Sequence, residues 1–248
     1  MAGSLLSTAY PSAAQWRELV EQFSPEAIAH KLLLSHVPYV FQSEPVKFAM
    51  FRRTIADEFG VEPTSVFIVG SAMSGRSLKG PEIENVYSSK SDIDTLIVSE
   101  SLFTKYVMQS LEWVNEVTEP TYEKGKKPVS PQIQSEMTKH IGWLAHSACK
   151  GIWRPDSLPN DAQARIDFFK KFSQVSLKTL GLQLSDDTVA KVNGRVARSF
   201  EDAVNDLSSS IARLGCCRFQ RHRVRCMHET GGAAWSDASL RESSKWRR

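Results

Sequence analysis

The spacing of apolar residues changes several times along this chain, and each change predicts an element. Ser12 precedes a helical pattern from Ala13 to Phe23. Ser24-Pro25-Glu26 opens a second helix to about Leu34, with serine at the cap, proline in the first turn and Ile28, Leu32 and Leu33 on one face. Pro38 ends regularity there. Pro45 opens a stronger pattern in which Phe48, Phe51, Ile55 and Phe59 recur at helical spacing, and Gly60 closes it. The period then drops. Val66 to Val69 is a short apolar run ending in Gly70-Ser71, and Ile93 to Val98 is a second run, entered through Asp92. Both read as buried strands. Helical spacing returns from Glu100 to about Val117, with Ser99 as cap and Leu102, Phe103, Val107, Leu111 and Val114 as the apolar set.

The lysine- and proline-rich residues 118–131 predict an exposed loop. A helix from Pro131 to about Cys149 follows, capped by Ser130. Gly151 to Asp156 reads as extended, Asp161 to Phe172 as a helix, Val189 to Arg198 as a strand, and Phe200 to Leu214 as a helix capped by Ser199. The expected fold is α/β or α+β, a small mixed sheet flanked by helices. The expected organisation is N-terminal helices over 1–39, a main domain over 40–214, and a basic tail over 215–248.

Composition narrows this picture only a little. Apolar residues make up 41% and charged residues 24% of the 248, as in ordinary globular proteins. The formal net charge of +3 is unevenly placed: from Gly215 onward eight Arg/Lys face three Asp/Glu, so the remainder is weakly acidic. That tail lacks apolar periodicity and reads as a disordered segment or as sequence outside the evolved domain; stacking and charge contacts with nucleic acid are the alternative. Cys149, Cys216, Cys217 and Cys226 form neither a disulfide framework nor a zinc spacing, which favours a reducing, cytoplasmic setting. No signal-peptide pattern and no apolar run long enough for a membrane span is expected.

The candidate chemistry lies between Val66 and Val98. Alternate residues of a strand share a face, so Asp92 and Asp94 aim two carboxylates the same way while Ile93 points to the core. Two adjacent acids repel unless a cation lies between them. Mg2+, held by one or two carboxylates plus substrate phosphates, meets that need. Gly70-Ser71, just past a strand, offers free backbone N–H groups and close approach to phosphate oxygens. Gly70 to Ser77, GSAMSGRS, also falls one residue short of a P-loop, with Arg76 in the lysine position. Gly80-Pro81 follows too soon for the long helix a P-loop opens, and the acids precede the apolar residues of their strand rather than follow them.

A hydrophobic strand ending in Gly70-Ser71, followed by Asp92-Ile93-Asp94 on the next strand, resembles the nucleotidyltransferase superfamily typified by DNA polymerase β. Gly-Ser-Ala near Gly75-Arg76-Ser77-Leu78, with Ser91 before Asp92, is similar to small bacterial defence-associated and toxin-like members. The resemblance covers Val66 to Val98 closely and residues 36–214 loosely; an exposed insertion, Lys79 to Lys90, accounts for the long interval from Gly70 to Asp92. It implies two Mg2+ ions on the carboxylates with substrate bound, a nucleoside triphosphate (NTP) held by the Gly-Ser turn, and attack of an acceptor hydroxyl on the α-phosphate with loss of pyrophosphate. The acceptors it allows are an RNA end, a protein hydroxyl or another nucleotide. It points to antiphage defence or toxin–antitoxin control, with a partner protein encoded nearby.

The superfamily adds a third carboxylate from a later strand. The face of the Val189–Arg198 strand carries Lys191, Asn193 and Arg195 and no acid. Asp187 is the preferred candidate, ahead of Asp186 and Asp156. Lys191 and Arg195 are candidate phosphate contacts or ordinary surface charge. His140 and His146 lie among apolar neighbours on a helix and read as structural. Without a third acid, the alternative is a catalytically degenerate protein of the same fold that binds a nucleotide or a partner.

Overall fold

A computed structural model describes residues 10–35, 37–88, 90–118, 123–124, 127–128, 131–178 and 191–229. In chain order its elements are α1 (Ala13–Gln22), α2 (Pro25–Ser35), α3 (Pro45–Phe59), β1 (Val66–Val69), the single turn α4 (Ser71–Ser74), β2 (Ile93–Val98) and α5 (Glu100–Thr118). Then come β3 (Glu123–Lys124), β4 (Lys127–Pro128), α6 (Pro131–Cys149), β5 (Ile152–Trp153), α7 (Gln163–Lys178), β6 (Val192–Ala197) and α8 (Phe200–Glu229).

The caps expected at Ser12, Ser24, Ser99, Ser199 and Gly60 form. The Ser12 hydroxyl accepts from the Gln15 N–H while the Gln15 side chain takes the Ser12 N–H, closing a capping box on α1. Ser24, Ser99 and Ser199 accept from the N–H groups of Ala27, Leu102 and Asp202. Gly60 closes α3 in the left-handed region, at φ 68° and ψ 42°.

The main sheet has the order β1-β2-β6-β5. β1 and β2 run antiparallel, β2 and β6 parallel, and β5 and β6 antiparallel. Helices cover both faces, which makes the fold α+β with a small mixed open sheet. On one side α7 packs on β6 and against α3 and α5. There Gly194 leaves room for Phe172, whose ring a Cβ would approach to 2.4 Å. On the other side α8 packs against α1, α2 and the sheet. Neighbouring residues of β6 thus face opposite layers, as strand geometry requires.

Aromatic rings bind the α7 side together. Trp153 stacks on Tyr106 with centroids 4.5 Å apart, and Phe168 meets Trp153 at 4.9 Å and Phe172 at 5.0 Å. The Trp153 indole N–H donates to the Ser110 hydroxyl at 2.9 Å, which satisfies its one buried polar atom. His140 has the structural role expected of it: Nδ1 meets the Ser157 carbonyl at 3.0 Å and its ring packs on Trp143.

Several boundaries differ from the sequence reading. The loop after α5 contains the short antiparallel pair β3–β4. Extended backbone after Gly151 is limited to β5, because Pro155 to Ser157 turns as a 3-10 helix. α7 begins at Gln163 and continues past Phe172 because Val175 adds a further fully buried contact. α8 does not stop at Leu214 but continues to Glu229, through a stretch read as tail. Arginine is a good helix former, so missing apolar periodicity did not mean missing helix. Residues 230–248 and Ser130 lie outside the described residues. Among the described residues no helix is long and apolar enough to cross a membrane.

Candidate active site

The register of β1 against β2 places the glycine turn beside the acids. Val69 pairs with Asp94, so the residue after Val69 arrives next to the Asp94 side chain. That residue is Gly70, at φ 68° and ψ −152°. This backbone region is essentially restricted to glycine. A Cβ on Gly70 would lie 3.0 Å from Asp94 Oδ2. Ser71 then starts α4, a single turn closed at Gly75, whose N–H donates to the Ser71 carbonyl at 2.8 Å. The Ser74 hydroxyl lies 3.0 Å from the Gly70 carbonyl and 2.6 Å from the Arg76 carbonyl and shares its one proton between them, holding the bend from inside. α4 ends well short of a P-loop helix, as the sequence argument expected.

β6 supplies the third wall. Asp94 is in register with Asn193, and the Asn193 amide donates to Asp92 Oδ2 at 2.7 Å. Lys191 Nζ lies 3.5 Å from the same oxygen and is otherwise well exposed. Ile93 points into the core at 3% exposure, so the alternation read from the sequence holds. Burial raises the Asp94 carboxyl above the ordinary carboxylate range, and the Asp92 charge adds to that; Arg195, Lys79 and Arg154 act in the opposite direction without cancelling it.

Arg195 does not reach toward solvent as a phosphate contact. Its Nη2 donates to Asp206 on α8 at 2.8 Å, in a pair about one-fifth exposed, and its Nε is buried without a partner among the described residues. It acts on Asp94 as a nearby fixed charge. Asp187 and Asp186 lie outside the described residues. Asp156 is well exposed and ion-paired with Arg154 at 3.6 Å.

Sequence reasoning missed Asn193 as an acid-pair partner, although its strand face had been identified. It also missed Tyr87, assigned to an exposed insertion. That insertion is partly packed: Ile83 is buried at 2% exposure, and the 3-10 turn Gly80–Glu84 lies against α8. The apolar residues Ile83 and Tyr87 within it were the available signal.

Two clefts, of about 290 and about 240 Å³, lie elsewhere, and neither is lined by Asp92 or Asp94. Among the described residues no group of three His, Cys, Asp or Glu side chains is placed to hold a metal ion. The donor set present, two carboxylates beside a glycine bend, suits one Mg2+ whose remaining ligands would come from outside the protein. No family model, no curated protein and no solved structure matches the chain.

Proposed function

We propose that this chain is an Mg2+-dependent nucleotidyltransferase that moves a nucleoside monophosphate from an NTP to an acceptor hydroxyl. The observation that carries the reading is the juxtaposition of the Gly70 bend with the acid pair, close enough that a Cβ on Gly70 would touch Asp94 Oδ2 at 3.0 Å. A bend that only glycine can adopt, built against an acid pair, lets a phosphate chain approach carboxylate-bound metal from the side.

In this reading Asp92 and Asp94 hold the metal, and Gly70 and Ser71 receive the triphosphate tail. Mg2+ bound there would neutralise phosphate charge and polarise the α-phosphate. Lys191, Lys79 and Arg154 surround the acids with positive charge suited to the remaining phosphate oxygens. The acceptor oxygen forms a bond to the α-phosphorus and gives up its proton to water, as the bond to the bridging oxygen of the β-phosphate breaks and pyrophosphate leaves with that electron pair. Aligning the two reactants in line is the chain's main contribution. RNA ends, protein hydroxyls and nucleotides are the acceptors that the resemblance allows. Antiphage defence or toxin–antitoxin control in the cytoplasm, with a partner protein encoded nearby, is the biological role the resemblance suggests.

One observation favours a second reading. The later strand presents Asn193 to the acids where the superfamily places its third carboxylate. An amide there suits a protein that binds a nucleotide or partner without chemistry. The two readings separate in one experiment. Each labelled NTP is incubated with Mg2+, with and without cellular RNA and protein, beside Asp92→Ala/Asp94→Ala. Label transfer or pyrophosphate release that the double substitution abolishes supports the enzyme. Binding without turnover supports the second reading, and activity surviving the double substitution refutes the site.

A further inference from the structure

Tyr87 belongs to no helix or strand, yet its surroundings fix it. Its N–H donates to the Gly75 carbonyl at 2.9 Å, tying it to the turn that follows Gly70-Ser71. Arg76 and Val86 form an isolated bridge beside it. On its other side the Ser88 N–H donates at 3.1 Å to the hydroxyl of Ser91, the residue before Asp92. Tyr39 meets the Tyr87 ring edge-on, with centroids 6.1 Å apart, and fills the space over Gly75, where a Cβ would lie 2.9 Å from the Tyr39 ring. Tyr87 is therefore clamped between the glycine bend and the acid pair.

The phenol oxygen at the end of this clamped side chain is buried and has no hydrogen-bond partner among the described residues. Such a hydroxyl is costly, and phenylalanine would fill the same space without the cost. The groups that sense it are informative. Burial first, then the charges of Asp92 and Asp94, raise its pKa to about 12, and both carboxylates are therefore among the groups that act on the phenol. Carboxylates offer several acceptor positions each. Asn193 uses one on Asp92 Oδ2.

Resting on the nucleotidyltransferase reading, we propose that Tyr87 is a positioning residue for the acid pair, its O–H donating to a carboxylate oxygen of Asp92 or Asp94 once the pair carries a metal–polyphosphate complex. The orphan hydroxyl is then a cost of the unloaded state that loading removes. Groups that orient metal ligands in this way are worth about 10- to 100-fold in metal affinity.

The test compares wild type with Tyr87→Phe, using the Mn2+ complex of inorganic tripolyphosphate as probe. Two quantities are measured: complex affinity by calorimetry, and the thermal midpoint of the metal-free protein. The expected result is affinity weakened about tenfold or more, with a metal-free midpoint equal to or above that of wild type. A residue that merely supports the fold would lower the metal-free midpoint. Unchanged affinity in Tyr87→Phe, or a lowered metal-free midpoint, overturns the assignment while the nucleotidyltransferase reading stands. Absence of binding by wild type removes that reading, and the inference with it.

Discussion

Gly60 and Gly70 share φ 68° but differ in everything else, which makes them a controlled pair for alanine substitution. At Gly60 ψ is 42°, ordinary left-handed helix, and nothing lies within 4 Å of a Cβ. Alanine there costs about 1 kcal/mol of backbone strain. At Gly70 ψ is −152°, a region almost closed to side-chain-bearing residues. The backbone term alone reaches about 3 kcal/mol there. The contact at 3.0 Å is with the far end of Asp94, which moves aside by a few tenths of an ångström, so it adds little energy but displaces the carboxylate. For a chain of this size about 1 kcal/mol corresponds to 2–4 °C. Gly70→Ala should therefore lower the midpoint by about 6–12 °C, against about 2–4 °C for Gly60→Ala. Urea denaturation of both variants in chelator reads the difference directly. Repeating Gly70→Ala in an Asp94→Ala background should return nearly the same loss, because the backbone term persists. If Gly70→Ala costs no more than Gly60→Ala, the bend is not strained and the argument that only glycine builds this site fails.

Asp94→Asn should stabilise the metal-free protein at pH 7. The folded carboxyl is raised above its unfolded value near 3.8, so the native state binds the proton more tightly, and the penalty is full above the folded pKa and vanishes as pH falls toward 3.8. Midpoints from pH 7 to pH 4 in chelator should show the advantage of the variant shrinking with acidity; a constant or growing advantage contradicts the sign. Ser110→Ala removes the acceptor of the buried Trp153 indole N–H and should cost about 1–3 kcal/mol in urea denaturation. A neutral result would mean that the indole finds another acceptor. Asn193→Asp places a third carboxylate in register with Asp94 and loses the amide donor to Asp92. The metal-free midpoint should fall through like-charge repulsion and recover with Mg2+; a fall that Mg2+ leaves unchanged would show that β6 does not face the metal position.

Local physics made much of the fold readable. The caps at Ser12, Ser24, Ser99 and Ser199, Gly60 and the period-2 alternation around Ile93 act within a few residues and formed where expected. Gly70 and Asp94 could be paired on paper because antiparallel neighbours bring a strand's end beside the next strand's start. What escaped depended on contacts distant in sequence. Arg195 has charged, surface-like character, and only the return of α8 over the sheet supplies Asp206 to turn it inward. Asn193 meets Asp92 through parallel pairing across a long crossover, whose register no local pattern encodes. Tyr87 was lost in polar surroundings because its burial comes from Tyr39, contributed by a separate part of the chain.

The cations around the acid pair limit what can bind there. Asp92 already has Lys191 and Asn193, and Asp94 feels Arg195, Lys79 and Arg154. A bare divalent cation would enter against those positive charges and displace Lys191 from Asp92, losing part of what it gains. A metal bound to a polyphosphate exchanges partner for partner: the carboxylates take the metal while the freed lysine takes a phosphate oxygen. Charge is conserved locally and no group is stranded. A polyphosphate alone would meet the cations but also two uncompensated carboxylates, which repel it. Of the three ligands only the complex satisfies both signs of charge, and the glycine bend at Gly70 lies directly beside the carboxylate that would hold its metal.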